Sequence, residues 1–161
     1  MTEVFGTITV KAPYSVAMDA VIRFLRAKDN RLMLVVPLKK LGLGANLGLE
    51  REVNVAFVPQ RGQKGMRQLH DELHLAWEPT GGGPFPNFTG SLKMHPHSSD
   101  TEIVLSGEYQ PPLGVVGEAF DAMIGKKIAE TTGQTLLEAL KEGIEADFAA
   151  VKETIEGTPR Q

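Results

Sequence analysis

Period-two alternation of apolar and polar residues marks five stretches of this chain, and helical spacing marks two more. Val4, Gly6, Ile8 and Val10 alternate with Phe5, Thr7, Thr9 and Lys11, which predicts a strand over residues 3 to 11 that Pro13 ends. Ser15 is a suitable N-cap, and Met18, Val21, Ile22 and Leu25 then recur as on a helix until Asp29-Asn30. From Leu32 to Gly48 the pattern breaks. An apolar run to Val36 meets Pro37 and then the glycine-rich Leu41 to Gly48, which reads as a mobile connection with room for one short helix.

Four strands follow, with Val53, Val55 and Phe57 sharing a face on the first and Leu69, Leu73, Leu75 and Trp77 on the second. Phe88, Leu92 and Met94 mark the third, and Ile103, Leu105 and Tyr109 the fourth. Polar residues opposite these faces predict an antiparallel sheet, wet on one side and covered on the other. The covering element is a helical stretch of almost forty residues that begins soon after Tyr109 and runs to Phe148. Its apolar residues define two faces: Val116, Ala119, Phe120, Met123 and Ile124 on one, and Leu136, Leu137, Leu140, Ile144, Phe148 and Val151 on a second, turned by about 120° at ~100° per residue. Contact with both the amino-terminal helix and the sheet accommodates two faces, with or without a bend between Gly125 and Gly133.

The 161 residues fit a single domain, 1–161, able to bury a core without staples. Absent cysteine excludes thiol chemistry and thiolate metal sites, and suits a reducing compartment. No segment approaches the roughly 20 apolar residues of a membrane span, and the amino terminus has no basic region before an apolar run, so a cytoplasmic location without stable membrane insertion is expected. Charges of both signs are mixed along the chain to a net −3, which argues against nucleic acid as a partner.

Several stretches, Trp77-Glu78-Pro79, Pro84-Phe85-Pro86-Asn87-Phe88-Thr89-Gly90, Gly107-Glu108-Tyr109-Gln110-Pro111-Pro112-Leu113-Gly114 and Phe120-Asp121, resemble a bacterial branch of the SRPBCC superfamily. That superfamily includes START lipid-transfer domains, pollen-allergen-like proteins and polyketide cyclases. The resemblance covers roughly residues 50 to 150 and implies an α+β helix-grip fold, with short helices after the first strand and a curved antiparallel sheet wrapped around a long carboxy-terminal helix. It also implies a cavity between sheet and helix for an apolar small molecule, with no cofactor. Phe57, Asp71, Leu73, Trp77, Phe88, Leu92, Tyr109, Phe120 and Met123 are the expected lining; close packing is the competing reading for each.

Asp71 shares the parity of Leu73 and Trp77, so inside a cavity its carboxyl would have a raised pKa and serve as a base or orient a ligand hydroxyl; at a strand end open to water it would do neither. Tyr109 offers a hydroxyl at the end of an inward face. The histidines do not suggest a metal site: His70 and His74 lie about 13 Å apart along a strand at ~3.3 Å per residue, and His95 and His97 flank Pro96 in what reads as a surface turn. Leu41 to Gly48 lacks the Lys-Ser/Thr ending of a phosphate loop. Gly117, Gly125 and Gly133 recur every eight residues, as close-approach positions or as space for a ligand. The leading expectation is a non-catalytic carrier of a lipid, isoprenoid, quinone or polyketide. The alternatives are a cyclase/aromatase enzyme and a protein-interaction module of the chaperone-ATPase-activator kind.

Overall fold

The computed structural model describes residues 2–38, 50–58, 72–81, 85–110 and 122–156. In chain order these form β1 (Thr2–Val10), α1 (Tyr14–Ala27), β2 (Arg31–Pro37), β3 (Glu50–Val58), β4 (Glu72–Pro79), β5 (Asn87–His97), β6 (Asp100–Gln110) and α2 (Ala122–Glu156). The six strands make one curled antiparallel sheet in the order β1-β6-β5-β4-β3-β2, with α2 along its concave side. The antiparallel sheet and the long covering helix are observed as expected, with one strand more than the five that the alternation marks.

β2 is a correction. Leu32 to Val36 reads as part of a connection in the sequence, yet it is a strand paired with β3 from Arg31↔Ala56 to Pro37↔Glu50. Leu32, Leu34 and Val36 are buried, whereas Met33 and Val35 stand about half exposed at 51% and 53%. Apolar residues on the outward side hid the alternation, and Pro37 is tolerated because β2 is an edge strand. A second correction concerns α1, which starts at Tyr14 after Pro13 with no side-chain cap, so Ser15 lies inside the first turn. The buried stripe is Ala17, Ala20, Val21 and Leu25, leaving Ile22 outward. The helix closes through Asn30 N–H to the Leu25 carbonyl at 2.7 Å, with Asp29 and Asn30 both at φ 57°. Asp and Asn tolerate this left-handed conformation better than other side chains.

The buried stripe of α2 runs through Gly125, Ile128, Ala129, Thr132, Gly133, Leu136, Leu137, Leu140 and Ile144. It contains Leu136, Leu137, Leu140 and Ile144 of the predicted second face; Phe148 is half-buried, and the side chains of Val151 and of the first face lie outside the described residues. Thr132 is buried at no cost in unmade hydrogen bonds because its hydroxyl donates to the Ile128 carbonyl at 2.8 Å. α2 packs on both α1 and the sheet. The ring of Phe24 seats over Gly143, where a Cβ would come within 2.9 Å of it. At the rim, Arg23 of α1 pairs with Asp147 of α2, and that hydrogen bond holds the guanidinium above its ordinary pKa. The Lys11 backbone N–H donates to Glu145 at 2.9 Å and fastens the end of β1 to the same helix.

Candidate ligand-binding site

Phe57, Trp77, Phe88, Leu92 and Tyr109 point to the concave side and are buried, with Leu73 half-buried beside them. Sheet register brings them together: Trp77 is opposite Phe88, Phe88 opposite Tyr109, and Leu73 opposite Leu92. Asp71 and Phe120 lie outside the described residues, and Met123 lies in α2 with its side chain outside them. His70 is likewise outside. His95 and His97 are exposed on the last turnward residues of β5, and the turn is Ser98-Ser99, so they flank a strand proline, not a loop one. Among the described residues no three His, Asp or Glu side chains gather as a metal site.

Trp77 anchors the wall. Its ring stacks on Phe88 with centroids 4.0 Å apart and planes 13° from parallel, and its indole N–H donates to the Pro86 carbonyl at 3.2 Å. A buried indole needs such an acceptor. Phe85, beside that proline, is itself buried, although no periodicity in Pro84-Phe85-Pro86 signals it. Under Phe88 the backbone has no room for side chains: Gly90 faces Gly107 across β5 and β6, and a Cβ on Gly90 would meet the Ser106 carbonyl oxygen at 2.3 Å and the Phe88 ring at 2.6 Å. Paired glycines covered by an aromatic ring let a sheet bend sharply. Gly133 is a close-approach position, since a Cβ there would lie 2.7 Å from Leu105 and 3.9 Å from Trp77. Of the two readings of the glycine repeat, packing holds at this one.

The approach of α2 to the sheet is uneven. Its backbone comes close to both edge strands, β1 and β2, and to β6, while β3, β4 and β5 stand farther off. The aromatic wall therefore faces the helix across a space filled by side chains. Where α2 crosses β1, a cleft of about 260 Å³ opens between Val4, Gly6 and Leu105 on the sheet and Glu130, Thr131 and Gln134 on the helix.

No family model matches the sequence, and no curated protein matches it. Among solved structures, a conserved protein from Geobacillus kaustophilus is similar over 92% of this chain and 96% of its own, with 12% identity and a TM-score of 0.52. The di-domain ARO/CYC protein BexL from the BE-7585A biosynthetic pathway aligns with 94% of this chain at 12% identity and a TM-score of 0.51, this chain spanning 48% of its length. A START superfamily protein from Mycobacterium smegmatis covers 89% of this chain and 97% of its own at 15% identity, with a TM-score of 0.49. With a curled six-stranded antiparallel sheet gripping one long carboxy-terminal helix, the chain has a helix-grip fold.

Proposed function

We propose that the protein binds or carries an apolar or amphipathic small molecule, of the lipid, isoprenoid, quinone or polyketide kind, between the middle strands and α2. The observation that carries this reading is the aromatic wall of Phe57, Trp77 and Phe88 on the strands that the helix backbone approaches least, continued by Tyr109 at the end of β6. Only side chains separate wall from helix there, so a ligand need displace side chains and no backbone pairing. A closing pocket of this kind is lined by apolar groups with a few polar ones to fix orientation. Asp71 and Tyr109 are the proposed polar groups.

A second reading, a protein-interaction module, is favoured by two facts. The described wall is closely packed, and Phe5, Met33, Val35 and Val58 are exposed on the outer surface. One experiment separates the two. A panel of fatty acids, quinones and polycyclic aromatics is added while Trp77 emission and thermal midpoint are followed. Starting from a blue-shifted emission, a bound ligand should perturb Trp77 and, at a hundredfold excess over its dissociation constant, add about 2.7 kcal/mol of stability. Leu92→Trp should weaken that ligand by filling the same space. If both signals stay flat across the panel, the carrier reading fails and the interaction module leads.

A further inference from the structure

Beyond ligand binding, we propose that the open edge of β2 pairs with the same edge of a second copy of this chain, antiparallel about a two-fold axis at Leu34, to form a weak dimer. The two sheet edges are not equivalent. α2 runs close along β1, and the Lys11 backbone N–H at the end of that strand is bonded to Glu145. On β2 the hydrogen bonds fix which groups stay open: Phe57 N–H donates to the Asn30 carbonyl at 2.8 Å, and Thr80 N–H to the Glu52 carbonyl at 3.0 Å. Alternation along an antiparallel ladder then turns the backbone groups of Leu32, Leu34 and Val36 to β3, and those of Met33 and Val35 to the edge. Among the described residues, no backbone hydrogen bond outside the regular elements reaches Met33 or Val35. Where α2 approaches β2 it does so from the concave side, on which Leu32, Leu34 and Val36 are buried.

Hydrogen bonding and charge both select a second copy. In the register centred on Leu34, Met33 of each copy lies opposite Val35 of the other, so every edge-facing backbone group of both residues finds a partner. The ladder stops there, because Pro37 has no N–H and the Arg31 N–H is taken by the Lys28 carbonyl at 3.1 Å. Across the seam the half-exposed Met33 and Val35 side chains cover one another. Edge strands are commonly protected by a charge or a bulge, and between Arg31 and Pro37 this one has neither. The same register puts Arg31 of one copy beside Pro37 of the other, in one row with that copy's Glu50. At ~4.8 Å between strands their backbones are roughly 10 Å apart, a gap that Arg and Glu side chains span over the low proline ring. Within one chain Arg31 and Glu50 stand at opposite ends of the paired strands, roughly 20 Å apart at ~3.3 Å per residue, and neither is ion-paired with a described residue. An unrelated extended peptide would share the hydrogen bonds without the charge match.

The test is sedimentation velocity of the intact protein from about 1 μM to about 1 mM, with amide-resolved NMR over the same range. A reversible monomer to dimer equilibrium is expected, with concentration-dependent shifts centred on Met33 and Val35. Their amides should exchange early in the dilute monomer and be protected in the dimer. Val35→Lys should weaken the dimer about tenfold by placing like charges at the seam. Arg31→Glu and Glu50→Arg should each weaken it by about threefold, and the double variant should regain the parent's affinity, because the swapped charges meet only across the seam. All three side chains are exposed, so Trp77 emission should stay as in the parent. Should Val35→Lys fail to fold, the charge swap carries the comparison. A protein that stays monomeric throughout, a dimer whose shifts lie away from β2, a Val35→Lys protein that dimerises unchanged, or single charge variants that the double variant does not rescue would each overturn the proposal. Dimerisation is read without any ligand, so its failure is distinguishable from failure of the carrier reading.

Discussion

Among the described glycines, Gly90 and Gly107 leave the least room for a side chain. A Cβ on Gly90 would meet the backbone oxygen of Ser106, and no rotamer change can move a backbone atom aside. Gly90→Ala should therefore cost about 3 kcal/mol, the upper part of the usual range for overpacking. Gly81 is the contrast, at φ 78° with nothing nearby. There Ala pays only the left-handed backbone penalty, about 1–2 kcal/mol. Urea titrations of both variants check the order, and equal losses would mean that the β5–β6 contact relaxes. The inward aromatic residues were legible from parity alone, as Trp77, Phe88 and Tyr109 were. Phe85 and Thr132 were not, since one lies between two prolines where no periodicity marks it and the other is a polar residue whose hydroxyl is satisfied within its own helix.

Among the elements, α2 carries the clearest expectation. Leu140 and Ile144 are fully buried on its sheet-facing stripe. Changing either to Ala should cost about 2–5 kcal/mol in chemical denaturation. Values below about half a kcal/mol for both would place them at the surface. Two elements differ from their sequence pattern for stateable reasons. β2 carries apolar residues on both sides, so it shows no alternation even though its burial alternates strictly. In α1 the packed stripe runs through Ala17 and Ala20, whose small side chains let the helix sit close, and larger Ile22 turns outward.

For the whole molecule, the sheet order puts β5 and β4 deepest in the hydrogen-bonded ladder and β1 and β2 at its edges. Amides that exchange only by global unfolding should accordingly include Leu92 and Leu75 on the central pair, while outward edge amides of β1 and β2 open earlier. Hydrogen exchange monitored by NMR checks this; equal protection of edge and centre would mean that the edges are covered. No described helix is long and apolar enough to cross a membrane.

The sequence by itself determined the class of fold: period two in five stretches and a long amphipathic run can bury their apolar sides only as a sheet covered by a helix. It determined which face of each of those strands looks inward, because parity is a property of the strand alone. Only the tertiary structure decided what those faces meet. That β2 closes the sheet as its second edge, that α2 reaches both edges and stands off from the middle strands, and that Arg31 and Glu50 stand at opposite ends of the β2 edge are matters of register and curvature. Register joins residues far apart in the chain, and no local pattern encodes it.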